Sequence, residues 1–316
     1  MTKDLSLKDF MPSSLNIGED AIFKSGKPLS DGKYRVDKDK VVEILKEALP
    51  YIQKFASKIC VVKFGGAAMT INKVKEEFAK DIALMRQVGI HVIVVHGGGP
   101  QIDRALKEVN IEKKFINGLR VTDKDSINIV AKVLSDEINQ ELSEMINSFG
   151  GITININKDS EKILLTEKIS SQIDLGYVGQ IKNVDTNFLI NALQSNYIPV
   201  IAPLGFNKNN EIFNINADDV ACSIAASISA EKLILMTDQE GVLNDNGELL
   251  TNLDVAEVKK LIKKEIISGG MLPKVNACIK ALDDGVKKTH IIDGRVEHAV
   301  LLELFTNTGI GTLVKK

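Results

Sequence analysis

IVVHGGGPQI, residues 93–102, is the most informative stretch of the chain. A run of β-branched residues ends at His96, three glycines follow, and a helical pattern runs on through Ile102, Leu106 and Val109. Glycine lets backbone N–H groups approach a ligand closely, and a helix N-terminus favours an anion. Pro100 suits the first helical position, where a backbone donor is not needed. Taken alone, such a turn either holds an anion or merely permits tight packing.

A second turn of the same design lies upstream. CVVKFGGAAM, residues 60–69, also runs from strand through a glycine pair into a helix. Lys63 closes that strand ahead of Gly65 and Gly66, which would aim its ammonium over bare backbone where a phosphate fits. The plainer reading is an exposed lysine at a strand end. There is no G-x-x-x-x-G-K-[ST] and no G-x-G-x-x-G after a strand, so neither a P-loop nor a dinucleotide fingerprint is present. Two anion-holding turns on one sheet point to two anionic ligands meeting, and phosphoryl transfer fits that best.

Further out, strands alternate with helices. Strands are expected at 58–63, 90–96, 197–203, 232–237 and 289–293. Helices are expected at 72–88, 100–109, 124–148, 186–195, 218–229, 254–265 and 274–284. This rhythm predicts a mainly parallel sheet with helices on both faces. Segments 151–182 and 205–216 read as short strands and hairpins, forming flaps at one edge of the sheet. Residues 37–57 read as an amphipathic helix, with Val41, Leu45, Ala48, Ile52 and Phe55 near one face and an expected kink at Pro50. Residues 1–36 are polar and aperiodic, a tail. Residues 298–314 read as a final helix and an edge strand.

Composition narrows the class. The 316 residues, 44% of them hydrophobic, can bury a core for one large α/β domain or two lobes. Forty basic residues against 42 acidic ones give a formal charge of −2, with no electrostatic case for nucleic acid or an anionic membrane as partner. No stretch approaches the roughly 18 apolar residues of a membrane span, and the N-terminus lacks a signal core. Cys60, Cys222 and Cys278 lie in apolar runs and read as buried thiols in a reducing, cytoplasmic setting. No His/Cys cluster has metal-ligand spacing, so any metal would arrive with a nucleotide.

Four more segments extend the site. NGLRVTD (117–123) offers Arg120, suited to a forked grip on a carboxylate. FNINADD (213–219) offers Asn214, Asn216 and Asp218 before a helix. TDQEGVL (237–243) offers Asp238 after a strand, and GGMLPK (269–274) places Lys274 at a helix start. Each has a plain alternative: a surface ion pair for Arg120, a helix cap for Asp218, a turn residue at Asp238, a solvated charge at Lys274. His96 has the look of a catalytic base, but its place beside the glycines reads better as loop support. His91 reads as a strand residue without chemical role.

Taken together and in order, KFGGAAM, VVHGGGPQI, NGLRVTD, NINADD and GGMLPK resemble the amino-acid kinase family, from about residue 37 to the end of the chain. Within that family the chain is similar to members that phosphorylate the γ-carboxylate of N-acetyl-L-glutamate in arginine biosynthesis. The resemblance implies a three-layer αβα sandwich with an open, mainly parallel central sheet. It implies an amino-acid lobe over 58–205 and an ATP lobe over 206–316. Lys63 and Lys274 would stabilise the transferring phosphoryl group, with Asp218 holding both. Gly98, Gly99, Arg120 and Asn214 would grip the amino acid. Gly65, Gly66 and Asp238 would contact ATP, supplied as Mg-ATP.

The segment 298–314 and the helix at 37–57 also resemble the arginine-inhibited members. There such helices interlace and join three dimers into a hexamer. L-arginine would then bind between that helix and the C-terminal segment, near Tyr51, Lys232, His298, Glu303 and Gly309. Two alternatives stay open. One is another kinase of the family, such as an aspartokinase, although the chain ends at GTLVKK without the added regulatory domain. The other is a non-catalytic arginine-sensing protein, against which Lys63, Asp218 and Lys274 speak.

Overall fold

The structure, a computed structural model, describes residues 38–306 and 309–316. The polar tail expected over 1–36 lies outside the described residues.

Eight strands form one sheet. In spatial order they are β12 (Asn252–Asp254), β14 (Thr312–Lys315), β13 (Lys288–Asp293), β11 (Lys232–Thr237), β1 (Ile59–Phe64), β2 (His91–His96), β8 (Ile198–Ile201) and β5 (Thr153–Ile156). Every neighbouring pair is parallel except β13 and β14. Strand side chains alternate between faces, and β1 shows it. Cys60, Val62 and Phe64 enter one buried cluster and Val61 enters the other. Lys63 is two residues from Val61 and shares its face.

The first face is covered by α1 (Lys38–Phe55), α2 (Asn72–Gln87), α3 (Gly99–Glu108), α4 (Lys124–Lys132), α5 (Gln140–Ser148) and α10 (Ala299–Phe305). The second is covered by α6 (Thr186–Gln194), α7 (Ala217–Ser227), α8 (Val255–Lys263) and α9 (Met271–Asp283). This is the αβα sandwich the sequence predicted, and all five expected strands and seven expected helices are present. Helix α1 runs through Pro50 without ending there.

Some expectations need correction. The helix read at 124–148 is interrupted by a π-helical segment, Val133–Asn139. Its wider turn lets buried Ser135 and Asn139 bond outside the helix: Ser135 Oγ accepts from Lys158 N, and Asn139 Nδ2 donates to Val200 O. Second, β14 is not an edge strand, because the short strand β12 pairs along its outer side.

The flaps are a separate four-stranded sheet in the order β10 (Ile212–Asn214), β9 (Leu204–Phe206), β6 (Leu164–Lys168), β7 (Gly179–Val184), but β5, read as part of them, is instead the end strand of the main sheet. The expected lobe boundary at 205/206 falls inside β9. A two-stranded hairpin, β3 (Phe115–Ile116) and β4 (Leu119–Arg120), turns at Asn117 and Gly118. Both have positive φ, 51° and 80°, as a two-residue type I′ turn requires. The three cysteines are buried thiols, and burial pushes Cys60 and Cys278 up to about 12.

Candidate active site

Strands β1 and β2 are paired in register, Lys63 beside Val95 and Phe64 beside His96. Their glycine turns therefore emerge at the same level of the sheet. Gly97 N–H donates to Phe64 O at 2.7 Å. The turns touch so closely that a Cβ on Gly97 would lie 3.2 Å from Gly65 Cα. A cleft of about 300 Å³ opens above them, lined by Lys63, Gly66, Gly97–Gly99, Arg120, Asn214, Asp218 and Lys274, among others. Its volume matches a small ligand.

Asp218 organises the floor of the cleft. Helix α7 is capped by Asn216, whose Oδ1 accepts from Asp218 N at 2.8 Å and Asp219 N at 3.3 Å. The Asp218 carboxylate is therefore not the cap. Its Oδ1 lies 2.9 Å from Lys63 Nζ, at the end of β1. Its Oδ2 accepts from Lys274 Nζ, on the first turn of α9, at 2.8 Å. Burial opposes its ionisation, but the two ammoniums outweigh that and hold the carboxyl far below the usual carboxylate range. Two cations thus sit beside one buried anion, facing the backbone of two glycine turns.

Arg120 lines the same cleft. The hairpin of β3 and β4 leaves it 8% exposed, with its guanidinium 4.6 Å from the Phe115 ring centre. Nη2 donates to Asp103 Oδ1 at 2.6 Å and to Gly99 O at 3.3 Å. Nη1 is buried without a hydrogen bond to any described residue. Half of the fork is thus anchored and half is open, as a carboxylate receptor would need. Partial burial of Asp103 opposes its charge, but Lys113 and Arg120 hold its carboxyl below the ordinary value. Asn214, at the end of β10, donates from Nδ2 to Thr122 Oγ1 at 3.1 Å and lines the same cleft.

Of the expected site residues, Lys63, Gly66, Gly98, Gly99, Arg120, Asn214, Asp218 and Lys274 meet in this one cleft. Gly65 sits beside Lys63. Asp238 does not line the cleft. It is exposed just past β11, where its Oδ1 accepts from Thr237 Oγ1 at 3.2 Å. His96 is fully buried, and its Nδ1 lies 2.8 Å from Gly97 O. His91 opens β2 with Nδ1 3.4 Å from Arg86 Nη1.

The second expected cluster is divided. Glu303, on α10, has Oε1 2.5 Å from His290 Nδ1 and accepts from Ile310 N at 3.0 Å through Oε2. Gly309 packs directly against that carboxylate. Burial opposes the charge on Glu303, yet His290 and the Ile310 amide keep it ionised, and burial keeps His290 neutral. Lys232 is buried with Nζ 5.0 Å from the Phe55 ring centre, close enough to Glu303 to sense its charge. Tyr51 packs on the core beside α10. His298 instead turns to α2: Nδ1 lies 2.7 Å from Asp81 Oδ1, and Nε2 lies 3.2 Å from Glu77 Oε2.

Sequence reasoning missed Asp103, Asn139, His290 and Asp81. Asp103 had a signal, an acidic residue one turn into the helix that follows the glycines. His290 had one too, a lone polar ring inside the apolar strand THIID. Asn139 had none, because the π turn that aims it is invisible in a helical pattern.

Residues 58–293 match the amino acid kinase family. The acetylglutamate kinase of Petrotoga mobilis is 48% identical over 277 residues, which is 87% of this chain and 93% of that protein. Among solved structures, N-acetylglutamate synthase from Neisseria gonorrhoeae, complexed with coenzyme A and L-arginine, is similar with a TM-score of 0.76 and 25% identity. That likeness covers 87% of this chain but 65% of the synthase, so this chain spans just under two-thirds of it. Carbamate kinase from Giardia lamblia bound to AMP-PNP shares the fold, with a TM-score of 0.59 and 17% identity over 83% of this chain and 99% of that one.

Proposed function

The chain belongs to the amino acid kinase family, and from that premise we propose that it is an acetylglutamate kinase, transferring the γ-phosphoryl group of ATP to the γ-carboxylate of N-acetyl-L-glutamate in arginine biosynthesis. The observation that carries this reading is the pair of lysines on Asp218 in the same cleft as the open half of the Arg120 fork. One side suits a transferring phosphoryl group and the other suits an amino-acid carboxylate.

The chemistry follows from charge. A glutamate-like carboxyl has a pKa of about 4.3 and is already ionised at neutral pH, so no general base is needed. His96 is free of that duty, since burial pushes it down to about 4. The difficulty is to bring a carboxylate against the anionic tail of ATP. A γ-carboxylate oxygen attacks the γ-phosphorus, the bond to the β-phosphate oxygen breaks, and ADP leaves. Lys63 and Lys274 neutralise the transferring oxygens, while the glycine amides at 65–66 and 97–99 supply further donors. Both Asp218 oxygens are taken by lysines, so magnesium is assigned to the ATP phosphates, where it would offset part of their charge. Arg120, Gly98 and Gly99, in the lobe 58–205, hold the acetylamino acid together with Asn214 from just beyond it. Gly65 and Gly66 contact ATP from the turn after β1, and Asp238 contacts it from the rim of the lobe 206–316.

We assign feedback inhibition by L-arginine to the cluster of Lys232, Glu303 and Gly309 beside Tyr51. The ionised Glu303 suits a guanidinium, and the synthase likeness includes an arginine complex. His298 enters this assignment only through α10, which it helps to anchor. Helix α1 leaves Val42, Ile44, Leu45 and Leu49 about half exposed, an apolar surface fit to join a hexamer built as a trimer of dimers. Among the described residues no helix is long and apolar enough to cross a membrane, and a cytoplasmic site of action suits the buried thiols.

Trapping the acyl phosphate with hydroxylamine tests the reading. Purified protein with Mg-ATP should yield hydroxamate from N-acetyl-L-glutamate and far less from aspartate or glutamate. Product from aspartate alone would make it an aspartokinase, and none from any substrate would favour the sensor.

A further inference from the structure

His96 and Asn139 are buried polar side chains to which the proposed chemistry gives no task. His96 ends β2 and Asn139 ends the π-helical segment; both are fully buried. Asn139 Nδ2 donates to Val200 O at 2.9 Å and lies 3.2 Å from His96 Nε2. His96 Nδ1 lies 2.8 Å from Gly97 O.

These contacts fix every proton. Val200 O only accepts, so the amide nitrogen of Asn139 must face it. Its second N–H then points at His96 Nε2, which must be the bare nitrogen. Nδ1 therefore carries the hydrogen and donates it to Gly97 O, which also only accepts. One ring tautomer satisfies the whole chain. A cationic ring would put a second N–H against the Asn139 donor, in keeping with the low pKa that burial gives His96.

Gly97 O belongs to the Gly97–Gly98 peptide. The described residues hold no cis bond, and in a planar trans peptide the C=O and N–H point opposite ways. Pulling Gly97 O back toward β2 thus turns the Gly98 N–H the other way. The loop is also pinned from behind: Gly97 N donates to Phe64 O, and Leu134 and Ile138 of the π segment crowd Gly98 so closely that a Cβ there would meet them at 2.7 and 2.8 Å.

We propose that Asn139 and His96 are positioning residues, a buried relay running from Val200 O to Gly97 O that aims the Gly98 N–H into the cleft at the transferring phosphoryl group. The π turn exists, in this view, to bring Asn139 under the glycine loop, as such turns often do at functional sites. The inference rests on the kinase reading above and adds to it two residues that never touch substrate.

The test uses the full chain with three substitutions: His96→Asn, His96→Gln and Asn139→Leu. An asparagine amide reaches about where Nδ1 lies and can still donate to Gly97 O, whereas a glutamine amide reaches toward Nε2. A misaimed donor should lower kcat by about 10- to 100-fold, somewhat less than losing an oxyanion donor outright. We expect that loss in His96→Gln and Asn139→Leu, with KM for both substrates and AMP-PNP affinity within about threefold. His96→Asn should keep kcat within about fivefold of wild type. If Asn139→Leu does not fold, the contrast between the two His96 variants decides alone. Equal losses in those two, or a loss that tracks the melting temperature, would overturn the relay. Hydroxamate formation by the wild type is measured alongside, so a failure of the kinase reading is told apart from a failure of this inference.

Discussion

Lys63 and Lys274 never meet except through Asp218: one ammonium lies 2.9 Å from its Oδ1 and the other 2.8 Å from its Oδ2. The lysines come from positions more than 200 residues apart in the chain, one at the end of the central strand and one on the first turn of α9. Asn216 frees the aspartate for this work by taking over the cap of α7. The carboxylate keeps two like charges close before any phosphate arrives, so little reorganisation is needed when the reaction begins.

Replacing Lys274 with alanine should therefore strike turnover more than binding. The expected result for Lys274→Ala is a fall in kcat of about 100-fold or more, with AMP-PNP affinity changed by about fivefold or less. Steady-state kinetics with equilibrium titration of AMP-PNP checks it. An equal fall in both would make the lysine a ground-state binder.

Asp103 anchors half of the Arg120 fork and leaves Nη1 open. Asp103→Ala should raise KM for N-acetyl-L-glutamate roughly 10-fold, and Arg120→Ala by more, while KM for ATP stays within about twofold. A change confined to the ATP constant would remove Arg120 from the acyl-substrate site.

Glu303 is ionised and buried beside Lys232, His290 and Gly309. Glu303→Gln should abolish inhibition by arginine and leave uninhibited kcat within about twofold, because the cluster lies outside the cleft. Dose–response curves at fixed substrate check this. Unchanged inhibition would place the regulatory site elsewhere, or remove it.

Asp81 carries a pH signature. Burial pushes its carboxyl up to about 6, against the pull of His298. The folded value lies above the unfolded one, so the folded state holds the proton more tightly. The stabilisation is full below about pH 4 and is lost as pH rises through about 6. Glu77 and His298 are the other titratable groups facing it. Relative to Asp81→Asn, the wild type should lose roughly 1–3 kcal/mol of stability between pH 4 and pH 7. Urea unfolding at the two pH values reads the difference. Parallel pH dependence in both proteins would contradict the assignment.

Much of this was legible from residue types alone. Strand runs ending in glycine pairs gave the parallel sheet and its binding edge, because β-branched residues and bare backbone each leave a strong local mark. Lys63, Arg120, Asp218 and Lys274 were singled out for the same reason: each sits beside a glycine or asparagine turn whose chemistry is local. What stayed hidden depends on distant packing. The π turn at Val133–Asn139 looks helical in sequence, since one extra residue per turn barely alters an apolar pattern. The role of β12 as cover for β14 rests on a three-residue strand far away in the chain. His290, which the sequence did not single out, stands beside Glu303 where His298 was expected. His298 faces α2 because its left-handed backbone, φ 58°, turns the ring that way, while His290 faces Glu303 from inside β13.

A crystal structure with N-acetyl-L-glutamate, AMP-PNP and magnesium tests the phosphoryl-transfer site most directly. Both Lys63 Nζ and Lys274 Nζ should lie within about 3.5 Å of γ-phosphate oxygens, with the Arg120 fork on the α-carboxylate and the γ-carboxylate in line with the phosphorus. Either ammonium turned away from the phosphate, or the acetylamino acid bound outside the cleft of Gly97–Gly99, would contradict it.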